Sequence, residues 1–128
     1  MSPPSRPATI LIIDDDPLVV ASFAKMLQLS GYAVQTAMDV ETGLKKAETF
    51  RPAAILLDFR MPLSDGLAFL QRLRALEHLR DTPVAIVTGD YMIDEPMLAA
   101  LRALGAAVHF KPLWLDDLMA LARQLVPN

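Results

Sequence analysis

Asp14, Asp15 and Asp16 stand in a row directly after the apolar run Thr9-Ile10-Leu11-Ile12-Ile13. Asp58 directly follows a second apolar run, Ala53 to Leu57. Thr88 closes the run Val84 to Val87, and Lys111 follows Ala107 to Phe110. Carboxylates brought close together repel, so one of them would protonate unless a cation sat among them. A hard divalent cation with oxygen ligands answers that repulsion, and Mg²⁺ suits one or two carboxylates plus waters and a phosphate oxygen. Asp58 is then a candidate nucleophile, because a carboxylate can accept a phosphoryl group as an aspartyl phosphate. The Lys111 ammonium would offset charge on the transferred group, and the Thr88 hydroxyl could bond one of its oxygens.

Each residue taken singly has an ordinary structural alternative. Asp16 before Pro17 reads as a helix cap with proline at the first helical position. Asp15 alone is a solvated loop acid, and Asp58 alone could cap a turn. A single Thr at a strand end or a single Lys before a proline is commonly structural or solvated. The joint pattern carries the weight, because four strand ends offer complementary chemistry in one plane.

The elements that must position these groups follow from periodicity. Thr9 to Ile13, Tyr32 to Ala37, Ala53 to Leu57, Val84 to Val87 and Ala107 to Phe110 read as five short strands. Between them lie helical patterns. The first has Val19, Phe23, Met26 and Leu27 on one face and closes at Gly31. The second is capped by Asp39, carries Val40, Leu44 and Ala47, and ends by Pro52. A loop over Phe59 to Asp65 leads to a third helix with Phe69, Leu70, Leu73 and Leu76 inward. A fourth runs from Glu95 to Leu104 and stops at Gly105. The fifth places Leu118, Leu121, Ala122 and Leu125 on one stripe. Alternating strands and helices imply a parallel sheet with helices on both faces. The first, third and fourth strands are almost wholly apolar, as expected of strands buried on both sides. The second holds Gln35 and Thr36 and the fifth holds His109, so these two are the edges. That distribution predicts a doubly wound α/β fold with strand order 2-1-3-4-5, whose ligand crevice lies outside the carboxyl ends of the strands.

Composition narrows the function further. The chain has 128 residues, 12 basic and 15 acidic side chains, a net charge of −3 and no cysteine. That length suits one domain able to bury its own core. Without cysteine there is neither a disulfide framework nor a thiolate metal site. The acidic balance argues against a binder of nucleic acid that works by neutralising phosphates. The longest uncharged stretch, Met26 to Met38, is too short and polar to span a bilayer. Met1 to Pro7 contains three prolines and no apolar stretch, and reads as a disordered leader rather than a signal peptide. Residues 8–126 are the expected domain, in a soluble cytoplasmic protein.

The residues also resemble a known family, the receiver domain of two-component response regulators. Ile10-Leu11-Ile12-Ile13-Asp14-Asp15-Asp16-Pro17 resembles its opening strand and acidic pair. Leu56-Leu57-Asp58-Phe59-Arg60-Met61-Pro62-Leu63-Ser64-Asp65-Gly66 resembles its phosphoacceptor segment. Ile86-Val87-Thr88-Gly89 and Phe110-Lys111-Pro112 resemble its switch threonine and its Lys-Pro pair. The match covers nearly the whole chain. The resemblance implies a flavodoxin-like, CheY-like three-layer α/β/α fold. It implies that Asp58 takes a phosphoryl group from a sensor histidine kinase or a histidine phosphotransfer protein. Asp15 and Asp58 would ligate Mg²⁺ directly, Asp14 through water, and the Arg60 backbone carbonyl would add a further ligand. Thr88 would move toward the phosphoryl group, Lys111 would pair with it, and Lys111-Pro112 would be a cis peptide. The protein would signal by phosphorylation rather than act as a turnover enzyme.

Three positions depart from the family pattern. Its usual Tyr or Phe, three residues before the Lys, is here Val108, and the stretch from Gly105 to Lys111 is one residue short. Gly89 stands where a small Ala is common, and glycine loosens the loop and opens the site. Arg60 and Asp90 stand two residues past Asp58 and Thr88, positions that the resemblance implies flank the entrance for attacking water. An Arg60–Asp90 pair across that mouth would slow hydrolysis of phospho-Asp58. Helix 4 carries one charge, Arg102, between Pro96 and Leu104, and Trp114 lies close behind Lys111-Pro112. Helix 4, strand 5 and helix 5 are therefore the expected surface for a downstream protein or a second copy. Only Val126, Pro127 and Asn128 follow Leu125, so no output domain is expected in this sequence, which is either a stand-alone regulator or a receiver cut from a longer chain. Two other readings compete with it. A haloacid dehalogenase-like phosphatase would use Asp14-Asp15-Asp16 but leaves the Asp58 segment unexplained. A receiver-like scaffold working without phosphate would be favoured by lost site residues, and none is lost.

Overall fold

The computed structural model describes residues 7–61 and 64–127. The leader expected over Met1 to Pro7 lies outside them except for Pro7, as do Pro62 and Leu63 of the phosphoacceptor segment.

The β-branched run Thr9–Ile13 forms β1, flanked by β2 (Ala33–Ala37) and β3 (Ala54–Leu57). With β6 (Val84–Thr88) and β7 (Ala106–Phe110) they build a parallel sheet in the order β2-β1-β3-β6-β7. This is the 2-1-3-4-5 arrangement expected from hydropathy. The edge strands β2 and β7 are mostly half-buried, whereas β3 and β6 are buried throughout.

Successive strand side chains point to opposite faces, and the core divides accordingly. Leu11 and Ile13 pack on one side with Leu44, Ile55, Leu57, Phe69 and Leu70. Ile10 and Ile12 pack on the other with Phe23, Leu27, Leu56, Leu118 and Leu121. The first layer is covered by α2 (Val40–Phe50), α3 (Gly66–Ala75) and α4 (Glu95–Ala103). The second is covered by α1 (Pro17–Leu29) and α5 (Leu115–Leu125). Each fully buried Ile or Leu contributes about 1.5–3 kcal/mol relative to exposure.

Aspartates start four of these helices. Asp16, Asp39, Asp65 and Asp94 each accept a hydrogen bond from a backbone N–H two or three residues on, at 2.7–2.9 Å. The caps set where the chain turns from strand into helix at the carboxyl end of the sheet. Gly31 ends α1 at φ 96°, a left-handed conformation that a Cβ would strain.

Two expectations are corrected. The segment expected as a loop contains a short antiparallel ribbon, β4 (Arg60–Met61) with β5 (Ser64–Asp65). Two-residue strands are too short to show any alternation. Leu76, expected within α3, packs against the core as expected but stands at the helix's C-terminal cap with an extended backbone, half-buried. The chain then makes a 3₁₀ turn, Glu77–Leu79, which buries Leu79 to 1% exposure. Arg74 holds this corner. Its guanidinium donates to the carbonyls of Thr82 (2.6 Å), Leu104 (2.8 Å) and Arg80 (2.9 Å), joining the end of α3 to the approach of β6 and the end of α4.

Candidate functional site

Asp14 and Asp58 each stand one residue beyond their strand, yet the sheet still holds their backbones. The Asp14 N–H donates to the Ala37 carbonyl (3.1 Å), and the Asp58 N–H to the Ile13 carbonyl (2.9 Å). Thr88 is the last residue of β6 and pairs in register with Phe110 of β7. The Lys111 N–H donates to the Thr88 carbonyl (2.8 Å), which carries the lysine to the same edge. All four sequence-predicted groups therefore meet at one recess of about 350 Å³, which Asp15, Arg60, Gly89 and Asp90 also line.

Asp14, Asp15 and Asp58 each offer a carboxylate oxygen, and these oxygens lie within 4.8 Å of one another. Asp14 is 3% exposed and Asp58 9%, while Asp15 faces solvent. Lys111 Nζ sits 2.8 Å from Asp14 Oδ2 and 4.0 Å from Asp58 Oδ1. Asp14 also accepts from the Asp16 N–H (2.9 Å), so both of its oxygens are engaged. Asp16 itself caps α1, as expected.

Asp58 is left with less compensation. Burial, and secondly the Asp14 charge, push its carboxyl from 3.8 up to about 6, against the opposing pull of Lys111, the Thr88 hydroxyl and the Arg60 N–H. A donor set of three carboxylates and no nitrogen or sulfur ligand fits a hard cation. A divalent ion there would relieve the repulsion that raises Asp58.

Arg60 and Asp90 do pair, with Nε to Oδ2 at 2.6 Å. The Arg60 guanidinium also lies over the Phe59 ring, 4.9 Å from its centroid. The Arg60 hydrogen bond, and then the Met92 N–H, hold the Asp90 carboxyl below its usual range. The Asp90 N–H donates to Thr88 Oγ1 at 3.1 Å, so the ion pair and the threonine share one loop. A Cβ placed on Gly89 would meet no heavy atom within 4 Å, so packing does not require glycine there.

Val108 is half-buried against the core, without an aromatic ring at that position. The Lys111–Pro112 peptide is cis. Sequence reasoning missed one arrangement. Tyr91, in the loop after Thr88, stacks on Phe110 with ring centroids 5.4 Å apart and planes 19° apart, and its hydroxyl donates to the Lys111 carbonyl. The available signal was an aromatic three residues past Thr88 and another immediately before Lys111.

Comparison with known proteins agrees with this geometry. A family model described as the response regulator receiver domain matches residues 10–123. The transcriptional regulatory protein PrrA of Mycobacterium tuberculosis is 37% identical over 117 residues, covering 91% of this chain and 49% of that protein. The response regulator MprA of Mycolicibacterium vanbaalenii is 34% identical over 120 residues, covering 94% and 51%. The chain thus spans about half the length of these curated relatives. Among solved structures, the chemotaxis response regulator CheY4 of Vibrio cholerae superposes with a TM-score of 0.84 at 27% identity, covering 93% of this chain and 98% of that one.

Proposed function

The chain belongs to the response regulator receiver domain family, and from that premise we propose that it is the phosphoacceptor of a two-component phosphorelay, with Asp58 as the accepting residue. The carrying observation is the convergence of three carboxylates, Lys111 and Thr88 at one sheet edge. In the reaction a phosphohistidine on a sensor kinase or phosphotransfer protein is the donor. An Asp58 oxygen attacks phosphorus, the P–N bond breaks, and its electron pair returns to the imidazole, which takes up a proton. Asp14, Asp15, Asp58 and the Arg60 carbonyl would hold Mg²⁺, which when bound supplies positive charge beside the transferring group.

The chain's own residues do the rest. Lys111, paired with Asp14 in this structure, turns its ammonium to the new phosphoryl oxygens. Thr88, 1% exposed, gives its hydroxyl to another of them. The Arg60–Asp90 pair and Gly89 set how freely water and donor reach the site. Phosphorylation then biases the α4–β7–α5 face between two arrangements read by a downstream protein or a second copy. Ala99 and Ala103 on α4 and Trp114 before α5 are exposed there. Residues 8–126 form the receiver. No helix among the described residues is long and apolar enough to cross a membrane, and a cytoplasmic site of action is part of the proposal, as is signalling without turnover catalysis. Incubation with acetyl phosphate and Mg²⁺ tests the reading by intact mass. One added phosphoryl group on the wild type and none on Asp58→Asn supports it. An unmodified wild type, or a modified Asp58→Asn, overturns it.

A further inference from the structure

Thr88 and Lys111 must converge on one group, yet they sit on different strands and each is followed by a loop. The sheet joins them through the Lys111 N–H to Thr88 carbonyl bond at 2.8 Å, just past the Thr88–Phe110 register pair. Beyond it the chain adds a second junction. Tyr91 leaves β6 three residues after Thr88 and crosses to β7, where its hydroxyl donates to the Lys111 carbonyl. Its ring lies nearly parallel to that of Phe110, the register partner of Thr88. The Asp90 N–H to Thr88 Oγ1 bond links this crossing to the threonine hydroxyl itself. Tyr91 is 65% exposed and Phe110 38%, so neither ring is there to fill the core. On the same face of β7, Val108 supplies only an aliphatic core contact.

We infer that Tyr91 is a positioning residue for phosphoryl transfer, whose hydroxyl and ring tie the Thr88 loop to the Lys111 backbone and so fix the separation of the two groups. This deepens the phosphoacceptor reading and rests on it. Removing the hydroxyl frees the loop to drift, so Thr88 and Lys111 meet the phosphoryl group less often in the productive arrangement. The backbone bonds that seat Asp14 and Asp58, to the Ala37 and Ile13 carbonyls, do not involve this junction.

The test compares wild type, Tyr91→Phe, Phe110→Leu and the double variant, with acetyl phosphate as donor. Loss of one exposed hydrogen bond should slow phosphorylation at saturating Mg²⁺ roughly 2- to 5-fold in Tyr91→Phe. Mg²⁺ affinity, measured by isothermal titration calorimetry, should stay at its wild-type value. The double variant should be less impaired than the product of the single effects, because both residues serve one junction. The Thr88 methyl resonance of the unphosphorylated protein should shift in Tyr91→Phe. A wild-type rate in Tyr91→Phe, or a fall in Mg²⁺ affinity matching the fall in rate, overturns the inference. If the wild type takes no phosphoryl group, the phosphoacceptor reading fails by itself. The Thr88 methyl then decides the tether, a shift supporting it and an unmoved resonance overturning it.

Discussion

Lys111 Nζ lies closer to Asp14 than to Asp58, at 2.8 Å against 4.0 Å. The lysine therefore neutralises the carboxylate that is 3% exposed and leaves the candidate nucleophile only partly compensated. Replacing Lys111 with Met leaves Asp14 buried beside Asp58 without its cation. A loss of stability on the order of 1–3 kcal/mol is expected at pH 7, since an uncompensated buried charge is what such a deletion exposes. Urea unfolding with a chelator present measures it, and an unfolding midpoint equal to wild type would contradict the pairing.

The Asp58 carboxyl titrates near 6 in the folded protein, above its ordinary 3.8. The folded state thus binds this proton more tightly than the unfolded chain does. The resulting penalty is fully present above pH 6 and is relieved as the pH falls from about 6 toward 3.8. Asp58→Asn should remove it, stabilising the metal-free protein at pH 7.5 on the order of 1–3 kcal/mol. The gain should shrink as pH is lowered through 6. Parallel stability profiles for the two proteins would refute the assignment.

Mg²⁺ should raise the melting temperature, because an ion that binds only the folded state stabilises it by mass action, about 2.7 kcal/mol at a hundred times its dissociation constant. Asp15 faces solvent, so Asp15→Asn should fold normally and lose most of this response. Melts with and without the ion settle the point, and a full Mg²⁺ response in Asp15→Asn would place the ion elsewhere.

The Arg60–Asp90 bond spans the mouth of the recess with the arginine side chain 65% exposed. An exposed pair of this kind adds little to stability. Its expected effect is on access. Phospho-Asp58 should hydrolyse faster in Arg60→Ala and in Asp90→Ala than in wild type, with melting temperatures nearly unchanged. Equal phosphoryl half-lives in all three proteins would show that the pair does not guard the site.

The parts of this molecule legible in the sequence are those governed by local pattern. Ile10 to Ile13 and Ala54 to Leu57 are buried on both faces, and continuous apolar runs announce that burial directly. Asp14, Asp58 and Thr88 stand at the ends of such runs, whereas Lys111 follows the half-buried edge strand β7. Two features depend on what the third dimension brings together. Tyr91 meets Phe110 only because β6 and β7 align Thr88 with Phe110. Lys111 chooses Asp14 over Asp58 by a difference in distance that no spacing encodes. Leu76 does face the core, but the 3₁₀ turn that follows it, which buries Leu79 as well, is not visible in the helical spacing of Leu73 and Leu76.

Arg74 fastens the Leu104 end of α4 to the corner where α3 ends and β6 begins. The opposite end, at Asp94 and Glu95, hangs from the loop that carries Asp90 and Tyr91. Between these attachments Met97 and Leu101 pack the helix against the core. Over the nine residues of α4, about 14 Å of axis, a small tug near Thr88 sweeps the near end furthest. The face of α4 proposed for a partner would then tilt about its Leu104 end rather than slide.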